Sequence, residues 1–136
     1  MKRKELTPMF EDDYIMRQIK ECIDAAMKLL FHVNVESPAM LVLKDLQKEE
    51  LVRKLTDMLD GGKVREAISE LDRETADGSQ DDLIVGYRFY THLCQKDDDY
   101  LDKYGLLYSD VEAEMKRFFS HYISPEVVDL VTHSKD

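Results

Sequence analysis

Apolar residues recur along this chain three and four positions apart, and no segment shows the strict apolar–polar alternation of a half-buried strand. After a flexible lead-in over residues 1–9, a helix is expected from Glu11 to about Phe31. Ile15, Ile19, Cys22, Ile23, Ala26 and Leu30 fill one side, with Arg17, Lys20, Glu21, Asp24 and Lys28 on the other. Glu11, Asp12 and Asp13 open it, and Lys28 and His32 lie near its end, as the helix dipole favours. Its polar face is mixed in charge rather than basic, which predicts packing on a core rather than on a membrane surface.

Ser37-Pro38 predicts an N-cap followed by proline at the first position of a second helix. The periodicity over 39–59 is uneven. Met40 to Leu43 are all apolar and Gln47 to Glu50 all polar, so a break is expected near 47–48. A regular helix follows, carrying Leu51, Val52, Leu55, Met58 and Leu59 and ended by Gly61-Gly62. Lys63 to about Glu74 carries the stripe Val64, Ala67, Ile68 and Leu71, and its short connection to the preceding helix makes the two antiparallel neighbours.

After a turn at Thr75–Gly78, Ser79 with Asp82 three residues on predicts a capped helix over 79–95. Its apolar residues, among them Leu83, Val85, Tyr87, Phe89 and Leu93, spread over an arc of roughly 200°, far wider than one packing stripe. Gly86 inside it costs about 1 kcal/mol of helix propensity, which a close crossing by another helix would explain. Asp97-Asp98-Asp99 opens a short helix with Tyr100, Leu101 and Tyr104, stopped at Gly105. Ser109 and Glu112 suggest a capping box before Val111, Met115, Phe118 and Tyr122. Ser124-Pro125-Glu126 starts a last short helix with Val127, Val128, Leu130 and Val131, and 133–136 fray. The expectation is one all-α domain over residues 1–136, with six to seven helices in antiparallel hairpins or an irregular bundle.

Composition adds limits rather than a function. Charged residues make up 35% of the 136, above the roughly 25% of an average globular protein, while apolar content is near normal. The net charge of −10 argues against direct nucleic-acid binding, which needs Lys and Arg facing phosphates. Lys2-Arg3-Lys4 is too short a run, followed at once by Glu5, to serve as a binding arm. Acidic residues from Glu5 onward interrupt any signal-peptide core, and no run approaches the ~20 apolar residues of a membrane span. Cys22 and Cys94 lie on apolar helix faces and read as buried reduced thiols. A cytoplasmic protein is expected.

No residue nominates itself as catalytic, cofactor-binding or metal-ligating. The acidic run 97–99 lacks the alternating ligands, central glycine and distal glutamate of a calcium loop, and Asp77 to Asp82 is better used in turning and capping. The four histidines share no zinc spacing, and Gly61-Gly62 lacks the Lys-Ser/Thr of a phosphate loop. The tyrosines are more suggestive. Tyr100, Tyr104 and Tyr108 are spaced by four and follow a helix carrying Tyr87 and Tyr90. Tyrosine is amphipathic and enriched at interfaces. A partner surface is therefore expected from Tyr87, Arg88, His92, Tyr100, Tyr104 and Tyr108; their alternative role is to roof the core with wet hydroxyls.

The segment from Leu59 through Gly61-Gly62, Ala67 and Leu71 resembles the turn and second-helix opening of a tetratricopeptide repeat, a family whose small and larger apolar residues at those positions pack a helical hairpin. Glu74 and Ser79 depart from that family's usual alanine and proline, and no second copy appears at a spacing of 34. The whole chain resembles a small, uncharacterised bacterial helical family, through Asp13 to Lys20, the Gly-turn-Ala segment, and the aromatic helix with the Tyr-Leu…Gly-Leu…Ser-Asp-Val-Glu stretch after it. That resemblance implies no activity. The function expected is a protein-interaction or adaptor module that self-associates and prefers a basic partner. The alternative is a small-molecule- or metal-dependent enzyme with a pocket between helices.

Overall fold

The computed structural model describes residues 17, 18, 20–25, 27, 28 and 43–122, with no strand among them. The described positions between 17 and 28 are helical, and five helices follow: α1 (Leu46–Asp60), α2 (Val64–Glu74), α3 (Gln80–Cys94), α4 (Asp98–Lys103) and α5 (Tyr108–Phe119). The architecture is all-α. The helix openings expected at Ser37-Pro38 and Ser124-Pro125, and the ends 1–9 and 133–136, lie outside the described residues.

α1 starts two residues before the expected break. The Asp45 carboxylate accepts the Gln47 amide at 2.9 Å, and Asp81 accepts the amides of Lys44 and Asp45 at 3.2 and 3.0 Å. The polar run at 47–50 is thus the first turn of α1: Gln47 and Glu50 are exposed, while Lys48 and Glu49 meet charged groups on α3. Lys48 Nζ lies 2.7 Å from Asp82, and Arg88 Nη1 lies 3.2 Å from Glu49. At the other end the Gly62 amide bonds Leu59 and the Lys63 amide bonds Met58, both at 2.9 Å, closing the helix as a Schellman motif around Gly62 at φ 83°. α2 then runs back antiparallel to α1: Lys54 near the middle pairs with Glu70, and Lys48 near the start reaches the Glu74 carbonyl.

The reciprocal bonds of the Ser79–Asp82 capping box open α3 as expected. Eleven of its 15 residues are buried, including Ile84 and Thr91 on what the periodicity reads as its polar side. The close approach expected at Gly86 is present: a Cβ there would sit 2.0 Å from the Phe118 ring of α5. α4 is capped by Asp97, which accepts the Tyr100 amide at 3.0 Å. α5 begins at Tyr108 rather than after Ser109, because Asp110 reaches back to the Leu107 amide at 3.1 Å and fixes the first turn two residues earlier. Leu107 offers no acceptor in return, so only half of a capping box forms.

Buried side chains from every described helix, including Ile23 and Met27 in the N-terminal segment, join in one apolar cluster centred on α3. Cys22 and Cys94 are buried there and form no disulfide, and burial pushes the Cys94 thiol up to about 12. No helix among the described residues is long and apolar enough to cross a membrane.

Candidate partner surface

Where the ends of α1 and α3 meet α4, three of the six expected residues come together. Tyr100 donates its hydroxyl to the Leu59 carbonyl in the last turn of α1. The Tyr104 ring meets it edge to face, with centroids 4.9 Å apart, and covers Gly62 so closely that a Cβ there would lie 2.1 Å from it. Lys96 and Lys103 lie 5.2 and 5.3 Å from the centroids of Tyr100 and Tyr104, within cation–π range. Asp60 accepts from Lys96 and lies 2.8 Å from His92 Nε2. Lys96, then His92, holds the Asp60 carboxyl below its ordinary range. Burial raises the Tyr100 phenol to about 12, so it remains a hydroxyl at neutral pH. Both tyrosines are partly buried and pack against the core.

The other three residues go elsewhere. Tyr87 has no exposed surface, and its hydroxyl donates to Asp24 at 2.9 Å, which ties α3 to the N-terminal helix. It cannot form part of a surface, because a large ring near the centre of α3 is enclosed by neighbours on all sides. Arg88 is turned toward α1, where it meets Glu49. Tyr108 is half-buried and points its hydroxyl at Asp98, 3.4 Å away, joining α4 to the start of α5.

A second feature is a pocket between helices, lined by residues that the sequence does not single out. Residues of α2 and α5 line a cleft of about 340 Å³. Its floor is apolar, made of Val64, Ile68, Leu93, Leu106 and Val111. Its rim carries Arg65, Ser69 and Asp72 from α2 and Asp110, Glu114 and Arg117 from α5. Each of these sets has helical spacing, so both line one face of their helix. Arg117 closes one end as a strap, 2.8 Å from Asp72 and 2.7 Å from Glu114. The nearby Tyr90 hydroxyl is buried without a hydrogen-bond partner, and burial raises its pKa far above the ordinary value. The charges acting on it are chiefly those of Glu114, Arg117 and Asp72.

Burial keeps the thiol of Cys94 protonated at neutral pH, which makes it a poor nucleophile. Among the described residues no three His, Cys, Asp or Glu side chains are grouped to hold a metal ion.

No curated protein and no solved structure matches the chain significantly. A family of unknown function, DUF6483, matches residues 9–122, a span that takes in all five of these helices. The chain belongs to that family.

Proposed function

We propose that the protein is a cytoplasmic, non-catalytic protein-interaction module that self-associates and acts as an adaptor. The observation that carries this reading is the partly buried Tyr100–Tyr104 pair, flanked by Lys96 and Lys103 and braced on the Leu59 carbonyl. Aromatic rings with a fixed orientation supply contact area at little entropic cost, and tyrosine is favoured in such patches. The net charge of −10 favours a basic partner through steering that weakens with salt, and disfavours direct contact with nucleic acid.

The test is affinity capture from native lysate with the wild type and with Tyr100→Ala plus Tyr104→Ala, after circular dichroism confirms that the variant is folded. Loss of a stoichiometric companion in the variant supports the patch as its contact. Equal capture by both proteins sinks it. Sedimentation across a concentration series tests self-association, and a single monomeric species throughout would remove that part.

The second reading, an enzyme acting on a small molecule, is favoured by the 340 Å³ cleft, within the size range of ligand sites. A melting temperature raised by a nucleotide, metabolite or metal in a broad panel would support it. A panel with no response would leave the interaction reading ahead.

A further inference from the structure

A further pocket, of about 300 Å³, shares Asp72 and Arg117 with the α2–α5 cleft and lies where α2 and α5 end. It is lined by Ala76 and Gly78 in the turn after α2 and by Phe118 and Tyr122, whose rings meet edge to face with centroids 5.4 Å apart. Ala76 is exposed and a Cβ at Gly78 would meet nothing within 4 Å, so the pocket is open to solvent on that side. Tyr122 is also where the described chain ends. The His121 and Tyr122 amides bond the Phe118 and Phe119 carbonyls at 3.2 and 2.9 Å, closing α5 in a tight turn. Shortly after, Pro125 disfavours a helical Ser124, which permits the chain to turn back there. In the helix expected from Ser124-Pro125, Val127 and Val131 fall at the centre of an apolar arc of about 160°, with Val128 and Leu130 at its edges and Glu126, Asp129 and Thr132 opposite.

We propose that residues 125–131 turn back as a helix across this pocket and set Val127 and Val131 against Phe118 and Tyr122. The pocket is then an intramolecular docking surface, a role that does not depend on the interaction-module reading. Three observations select this occupant. The segment carries an apolar face that gains by leaving water, and the pocket offers two aromatic rings to receive it. It joins the pocket's own lining residue, Tyr122, through a linker of Ile123 and Ser124, so it meets the pocket at an effective concentration on the order of millimolar. A second copy of the chain has no such tether, and it would have to approach against the repulsion of two chains that each carry a net charge of −10.

The experiment is NMR on the full chain labelled at its methyl groups, at two protein concentrations tenfold or so apart. The expected result is nuclear Overhauser contacts from the Val127 and Val131 methyls to the ring protons of Phe118 and Tyr122, equal in strength at both concentrations. Ala76→Trp, at an exposed position on the pocket, should fill the space and speed amide hydrogen exchange over residues 128–131 at least about tenfold. Unchanged Leu55 and Leu59 methyl signals would show that this variant keeps its core. Asp57→Asn, exposed on α1, should leave both the contacts and the exchange as in the wild type.

Contacts that fade on dilution would assign the pocket to a second copy and overturn the proposal. So would Val127 and Val131 contacts made only with other parts of the chain, their complete absence, or exchange unaltered by Ala76→Trp.

Discussion

At Gly86 the α3 backbone has no room for a methyl group, because the buried Phe118 ring occupies the place where a Cβ would sit. In an exposed helix a Gly→Ala change stabilises by about 1 kcal/mol. Here Gly86→Ala should destabilise by about 1–3 kcal/mol, the usual cost of overpacking a filled core, and urea denaturation measures it. Stabilisation would show that the ring yields freely. Asp60 gives a prediction with a sign in pH. Lys96 and His92 lower its folded pKa, so its contribution is full above the ordinary value of 3.8 and fades as the pH falls through the lower folded value. Thermal melts of wild type and Asp60→Asn should therefore differ more at pH 7 than at pH 2.5; a constant gap would contradict this. Gly86 was legible in the sequence because it breaks a propensity rule in a strongly apolar helix. Tyr87 was not, since its hydroxyl is satisfied by Asp24, 63 residues away, and spacing within one helix cannot reveal such a partner.

Among the elements, the start of α3 and the end of α1 were readable from neighbouring residues, whereas the starts of α1 and α5 were not. Ser79 and Asp82 cap α3 from within its own first turn, and Gly62 closes α1 through its positive φ. The start of α1 depends on Asp81, 36 residues beyond Asp45, so the polar run at 47–50 looked like a break. That run also supplies Lys48, which lies against the almost fully buried Asp82. Lys48→Met should cost up to about 3 kcal/mol, because it strands a buried carboxylate, and chemical denaturation measures the loss. A loss below a few tenths would mean that water replaces the lysine. Gly62→Ala should cost about 1–2 kcal/mol for its left-handed backbone, plus a clash with Tyr104. Removing the ring in Tyr104→Ala should relieve the clash but not the backbone strain, so a double-mutant cycle separates them.

For the molecule as a whole, the all-α class was legible because apolar residues keep a helical period in nearly every segment and the wide apolar arc of α3 demanded neighbours all round. The candidate surface was only partly legible. Tyr100 and Tyr104 share one short helix and so stay together, but His92 joins them only through Asp60 and Lys96. The cleft was invisible, because residues 64–72 and 106–117 carry no shared signature until the fold lays α2 beside α5. The central claim, that this acidic chain is an interaction module for a basic partner, is tested most directly by capturing its companions from native lysate at low and at high salt. The account predicts one stoichiometric companion with a basic surface, retained at low salt and lost as salt rises. A preparation that contains the protein alone at low salt, or a companion held equally in high salt, would contradict it.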